Sequence, residues 1–155
     1  MNSLGVNRKF RYEAYKMNDS LGKNVIIHYL KNKGHSIVET RENYSFDIES
    51  EKDGNIYYSE VEMKNQWKGD WNTSWKEIRI PYRKHKLLDR LKNMSNDTEV
   101  YLDFYVIRTD CEYAWKIKEC QLTAERAKDT WLANAMRTEP FYHIPYQEAE
   151  LIQLK

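Results

Sequence analysis

Apolar positions in the first part of the chain recur with a helical period. Leu21, Val25, Ile26, Tyr29 and Leu30 form one stripe, with Asp19 or Ser20 placed to cap it and Gly34 to end it. This predicts a helix over about 19–33, and His35 to Thr40 then reads as a short strand around Ile37 and Val38. The period drops to two in the next segment. Runs at 44–50 and 56–64, rich in strand formers, flank Asp53-Gly54, a strong two-residue hairpin signal. Beyond Lys64, three tryptophans (Trp67, Trp71, Trp75) stand in a polar segment, and Ser74-Trp75-Lys76-Glu77 resembles a capping box. Pro81 excludes one continuous helix here, so a turn or short element is expected near 74–80. A helix follows from about Pro81 to Asn93 on the stripe Leu87, Leu88, Leu91 and Met94. Glu99 to Ile107 reads as a strand, Thr109-Asp110 as a turn and Tyr113 to Lys118 as its partner; Thr123 is placed to cap a last helix reaching about Met136. Residues 141–154 close the fold without an assigned element. The order αβββαβ describes an α/β (α+β) chain, a central mixed β-sheet flanked by helices. One domain is expected over 1–155, its core at about 19–107 and a C-terminal elaboration at about 110–155.

The hairpin carries the candidate chemistry. Alternation puts Glu60, Glu62 and Lys64 on one face of their strand, and a two-residue loop at Asp53-Gly54 pairs Lys52 with Asn55. Counting back sets Asp47 opposite Glu60, with Glu62 on the diagonal. Asp47, Glu60, Glu62 and Lys64 are therefore expected to converge on one patch, with Phe46, Ile48, Val61 and Met63 on the opposite face. Gln66 continues the same parity if the strand runs that far. Like charges facing across strands repel, so something positive is expected among these carboxylates. Oxygen ligands of this kind suit Mg²⁺ or Mn²⁺.

The formal net charge of +1 conceals a split along the chain. Residues 39–62 hold eight acids against two bases, and residues 64–92 nine bases against three acids. A cation needs the first and a polyanion the second; two solvated faces of opposite bias is the equally open alternative. Arg79, Arg83, Lys84 and Lys86 are the candidates for phosphate contacts. The three tryptophans are read first as structural and only secondarily as base-stacking. His28, His35, His85 and His143 show no paired metal spacing, and none is assigned to catalysis. Cys111 and Cys120 are too few for a disulfide framework and are expected to be reduced, a local bridge across a hairpin being the alternative.

Phe46-Asp47 followed after a turn by Glu62-Met63-Lys64 resembles the signature of the PD-(D/E)xK nuclease superfamily, which includes many restriction enzymes, resolvases, phage nucleases and some homing endonucleases. The resemblance implies a restriction-endonuclease-like core and metal-dependent phosphodiester hydrolysis. Asp47 and Glu62 would be metal ligands and Lys64 the catalytic lysine, with Glu60 as a further ligand and Gln66 in support. Phe46 stands where the family commonly has proline, and the first helix offers no inward-facing Glu.

The function this implies is a Mg-dependent deoxyribonuclease, most simply an endonuclease on DNA. The alternative is a non-catalytic nucleic-acid-binding protein on a nuclease-like fold. A homodimer is expected, because cutting both strands needs two centres, and Trp115, Trp131, Phe141, Tyr142 and Tyr146 are available for the contact or, equally, for the core. Lacking any signal-like or membrane-spanning apolar run, the chain is expected to be cytoplasmic, and the resemblance suggests phage or mobile-element biology.

Overall fold

The computed structural model describes residues 20–38, 46–94 and 99–155. Helix α1 is helical from the first described residue to 32, and Gly34, at φ 90°, ends it in the left-handed conformation that costs glycine nothing. Asp19 as a cap, the end of the first expected strand at 39–40 and the start of the second at 44–45 lie outside the described residues.

The strands are β1 (Ser36–Ile37), β2 (Ile48–Lys52), β3 (Asn55–Lys64), β4 (Glu77–Pro81), β5 (Val100–Arg108), β6 (Tyr113–Lys118), β7 (Ala127–Leu132), β8 (Arg137–Pro145) and β9 (Glu150–Gln153), with helix α2 (Tyr82–Met94) between β4 and β5. Six of them form a mixed sheet in the order β1-β2-β3-β5-β6-β9, and β4-β8-β7 form a second, antiparallel sheet. Within the larger sheet only β3 and β5 run parallel among the described pairs. The chain is thus α/β with a mixed sheet and few helices, and the expected order αβββαβ is interrupted by β4, which joins the other sheet. No helix among the described residues is long and apolar enough to cross a membrane.

Central strand β5 is buried on both faces for most of its length, which requires its nearly unbroken apolar sequence. On one face Leu102, Phe104, Val106 and Ile117 meet Leu88 of α2 and the second sheet's Ile78, Ile80, Tyr142 and Ile144. On the other, Tyr105, Ile107 and Ala114 meet Ile26 and Leu30 of α1. Of the stripe expected along α2, Leu88 is fully buried; the side chains of the other three lie outside the described ones.

The turn or short element expected near 74–80 is a turn at 73–74 followed by β4, whose Ile78 and Ile80 point inward while Glu77 and Arg79 point out. One expectation is corrected. The expected helix after Thr123 is a single 3₁₀ turn, Ala124–Arg126, without a side-chain cap bond, followed by the β7–β8 hairpin. Helix-favouring Ala, Glu and Lys lose to cross-strand pairing, since β7 gains its ladder from β8, and β8 in turn from β4. Of the aromatics offered for a dimer contact, Tyr142 is buried, Trp115 and Tyr146 pack against Trp71, and Trp131 remains 60% exposed. Both cysteines are free, Cys111 buried and Cys120 exposed.

The hairpin matches its expected register. Lys52 pairs with Asn55 and Ile48 with Ser59. Asp53 and Gly54 both have positive φ, 53° and 81°, as a type I′ turn demands. A Cβ on Gly54 would meet nothing within 4 Å, so the cost of Gly54→Ala is conformational alone. We expect it to destabilise by about 1 kcal/mol, and Gly54→Asn by less, in urea unfolding. Equal losses for both would mean that the turn does not select its residues by φ.

Candidate functional site

The register carries over to Asp47, one residue before β2. Its backbone N–H donates to Glu60 Oε1 at 3.2 Å, so the two acidic residues meet as the pairing implies. Asp47 Oδ2 accepts from the Val61 N–H at 2.9 Å, completing the ladder where β2 has not yet begun. Asp47 Oδ1 lies 3.6 Å from Lys23 Nζ, delivered by α1. Glu60, with its side chain 14% exposed, pairs with Lys84 Nζ of α2 at 3.3 Å. Burial, and then the Asp47 carboxylate beside it, push the Glu60 pKa up to about 7, against the pull of Lys84. The positive partners expected among the carboxylates are thus two ammonium groups from opposite sides of the sheet.

Lys84, expected as a phosphate contact, pairs with Glu60 and lines the cleft beside it. Phe46 is corrected. Rather than joining Ile48, Val61 and Met63, it packs on Tyr58 with ring centroids 4.7 Å apart, because the chain bends at Asp47 and strict alternation fails there.

Further along β3 the same face opens. Ile56 and Tyr58 are covered by the core, whereas Glu60, Glu62 and Lys64 line a cleft of about 1140 Å³ between β3, β4 and the start of α2. Glu62 is exposed to the solvent that fills this concavity, and the protein crowded around it raises its pKa, partly offset by Lys64. Lys64 Nζ sits 4.7 Å from the Trp75 ring centroid and 6.0 Å from that of Trp71, two cation–π contacts that hold the ammonium in the cleft. β3 ends at Lys64, so Gln66 does not extend its parity: it lies in the following turn, exposed, at the cleft wall. Arg79 and Arg83 are exposed and line the cleft. Lys86 does not line it; its Nζ lies 5.4 Å from the Tyr82 ring centroid.

Trp67 is buried, and its indole N–H donates to the Gly69 carbonyl, while the Trp71 indole N–H donates to the Trp75 carbonyl. The tryptophans are first of all a scaffold, with Trp75 doubling as the seat of Lys64.

The donors suit a hard divalent ion in type, all being carboxylates. In position they fit in part. Asp47 and Glu60 touch, but among the described residues the only group of three or more His, Cys, Asp or Glu with ligand atoms all within 4.8 Å is His85, Asp89 and Glu119. Asp47 also does not line the cleft that holds Glu62. The expected three-carboxylate convergence is therefore corrected to an adjacent pair, Asp47 and Glu60, with Glu62 farther along the strand.

Two features escaped the sequence reading. Lys23 shares the α1 face of Ile26, Ile27 and Leu30 at positions i, i+3, i+4 and i+7, and a lysine on an apolar stripe was the signal. His85 and Asp89 stand four apart on α2, one helical turn, but their third member, Glu119, is too distant in sequence to be linked to them. No family model matches this sequence, and comparison with curated proteins gives no match.

Proposed function

We propose that this protein is a metal-dependent nuclease acting on DNA, with Asp47, Glu60, Glu62 and Lys64 at its centre. The observation that supports this most is the hairpin register: it sets Asp47 against Glu60 and leaves Glu62 and Lys64 on the floor of a cleft walled by Arg79 and Arg83. Mg²⁺ or Mn²⁺ would be held by Asp47 and Glu60, with Glu62 reached through water, since Mg²⁺ is commonly bound by one or two carboxylates and keeps several waters. When bound, the ion supplies Lewis acidity towards a phosphoryl oxygen. Arg79 and Arg83 would position the backbone, and Lys64, held on Trp75, would offset charge developing at the scissile phosphate. Lys23 and Lys84 neutralise the carboxylate pair and would yield to the ion. A two-fold dimer would supply a second centre for cutting a duplex.

The second reading is binding without cleavage. It is favoured by the same two lysines and by the ladder bond from Val61 to Asp47, which give both acids structural work.

Incubation with plasmid, single-stranded and branched DNA separates the readings. Cleavage of at least one substrate with Mg²⁺ or Mn²⁺, abolished by chelator, is expected. Salt-sensitive binding without cleavage would establish the second reading, and neither binding nor cleavage would overturn both. Arg79→Ala with Arg83→Ala should weaken binding to unrelated sequences alike and lower the salt slope by about 2.

A further inference from the structure

We propose that His85, Asp89 and Glu119 form a binding site for a divalent transition-metal ion such as Zn²⁺, separate from the cleft and independent of the nuclease reading. α2 presents His85 and Asp89 one turn apart, and Glu119 opens the 3₁₀ turn that follows β6. One ligand atom from each lies within 4.8 Å of the other two, a spacing that a single ion can bridge, and His85 Nε2 is 3.4 Å from Glu119 Oε1. None of the three lines the cleft.

Two observations outside the triad point to a cation. The far ring nitrogen, His85 Nδ1, lies 2.7 Å from the hydroxyl of Tyr142, itself only 2% exposed. This outer hydrogen bond fixes the ring so that Nε2 faces the acids, as metal-bound imidazoles are commonly held. A phenol both donates and accepts, so it also serves the tautomer in which Nδ1 carries the proton and Nε2 offers its lone pair. The second observation is an imbalance of charge. Lys92 Nζ binds both oxygens of Glu119, at 2.8 and 2.9 Å, whereas among the described residues no hydrogen bond or ion pair holds Asp89.

One imidazole with two carboxylates is a borderline donor set, favouring Zn²⁺, Co²⁺ or Ni²⁺ over Mg²⁺ or Ca²⁺. Three protein ligands leave coordination positions for water. Glu119 and Lys92 also border a second concavity of about 900 Å³, from which an ion could enter. Lys92 is its competitor: with its side chain 40% exposed, it is free to swing into solvent when an ion takes Glu119.

The test is calorimetric titration of the full chain with ZnCl2 and CoCl2, in a Cys120→Ser background that removes the exposed thiol bordering the same concavity. Beyond any ion held by Asp47 and Glu60, one ion per chain should bind, raising Tm by about 8 °C at roughly a hundredfold excess over Kd. Asp89→Asn, a near-isosteric change at an exposed position, and His85→Ala should each weaken binding about tenfold or more. Lys92→Ala should tighten it, and Asp47→Asn should leave it unchanged. Absence of binding at millimolar metal, or affinities unchanged in both Asp89→Asn and His85→Ala, would overturn the proposal, whatever the outcome of the nuclease assays.

Discussion

Lys64→Ala and Glu62→Ala should each lower metal-dependent DNA cleavage by about 10²-fold or more with little change in unfolding free energy, because removing one preorganised charge from a reacting centre commonly costs that much. Glu62 is exposed in the cleft, and Lys64 rests on the faces of Trp75 and Trp71 rather than in the core, so neither truncation opens a cavity. Asp47 needs a different substitution. Alanine would strip the acceptor from the Val61 N–H and cost about 1 kcal/mol by itself, mixing chemistry with stability. Asp47→Asn keeps an oxygen for that bond and removes the charge, so a comparable loss of cleavage in a stable protein would isolate the charge. Full activity in both Lys64→Ala and Glu62→Ala would end the assignment. If cleavage falls only in step with unfolding, both residues are part of a salt-bridged hairpin and nothing more.

The stability of the chelated protein should fall as pH rises from about 4.5 towards 7, and Glu60 should be the main cause. Its pKa is raised from 4.5 to about 7 in the fold, so over that interval the folded state binds the proton that the unfolded chain has released. Stability therefore decreases with pH across the window, fully favourable below it and lost above. At about 1.4 kcal/mol per unit the ceiling is about 3 kcal/mol, the attraction of Lys84 for the ionised form being already contained in the raised pKa. Glu60→Gln should flatten the profile, matching the wild type near pH 4.5 and exceeding it at pH 8 by about 1 to 3 kcal/mol in urea unfolding. The substitution leaves Lys84 without its acid, which sets the lower end of that range. An unchanged profile would mean that Glu60 is ionised at no cost, its burial fully offset by Lys84 and Lys23. Divalent metal should produce the same flattening in the wild type if the ion binds between Asp47 and Glu60, because a cation there replaces the proton.

What the sequence by itself determined is local. Helix α1, the β2–β3 hairpin and the β5–β6 pair are each written in a short window, where period and turn chemistry act between near neighbours. The hairpin register followed from Asp53-Gly54 because a two-residue turn leaves one pairing, and that pairing was enough to bring Asp47 to Glu60. What only the tertiary structure decided depends on partners distant along the chain. Strand β4 exists because β8 pairs with it some sixty residues on, and β8, held between β4 and β7, gives 127–132 the ladder that makes it strand despite helix-favouring residues. Lys23 reaches Asp47, Lys84 reaches Glu60 and His85 reaches Glu119 across elements whose relative placement is set by burial in two cores. Hydrophobic burial is non-directional, so periodicity foretells that a face is covered but not by what. The sequence therefore specified which side chains share a strand face, while the packing of α1 and α2 against that strand decided which charges meet them.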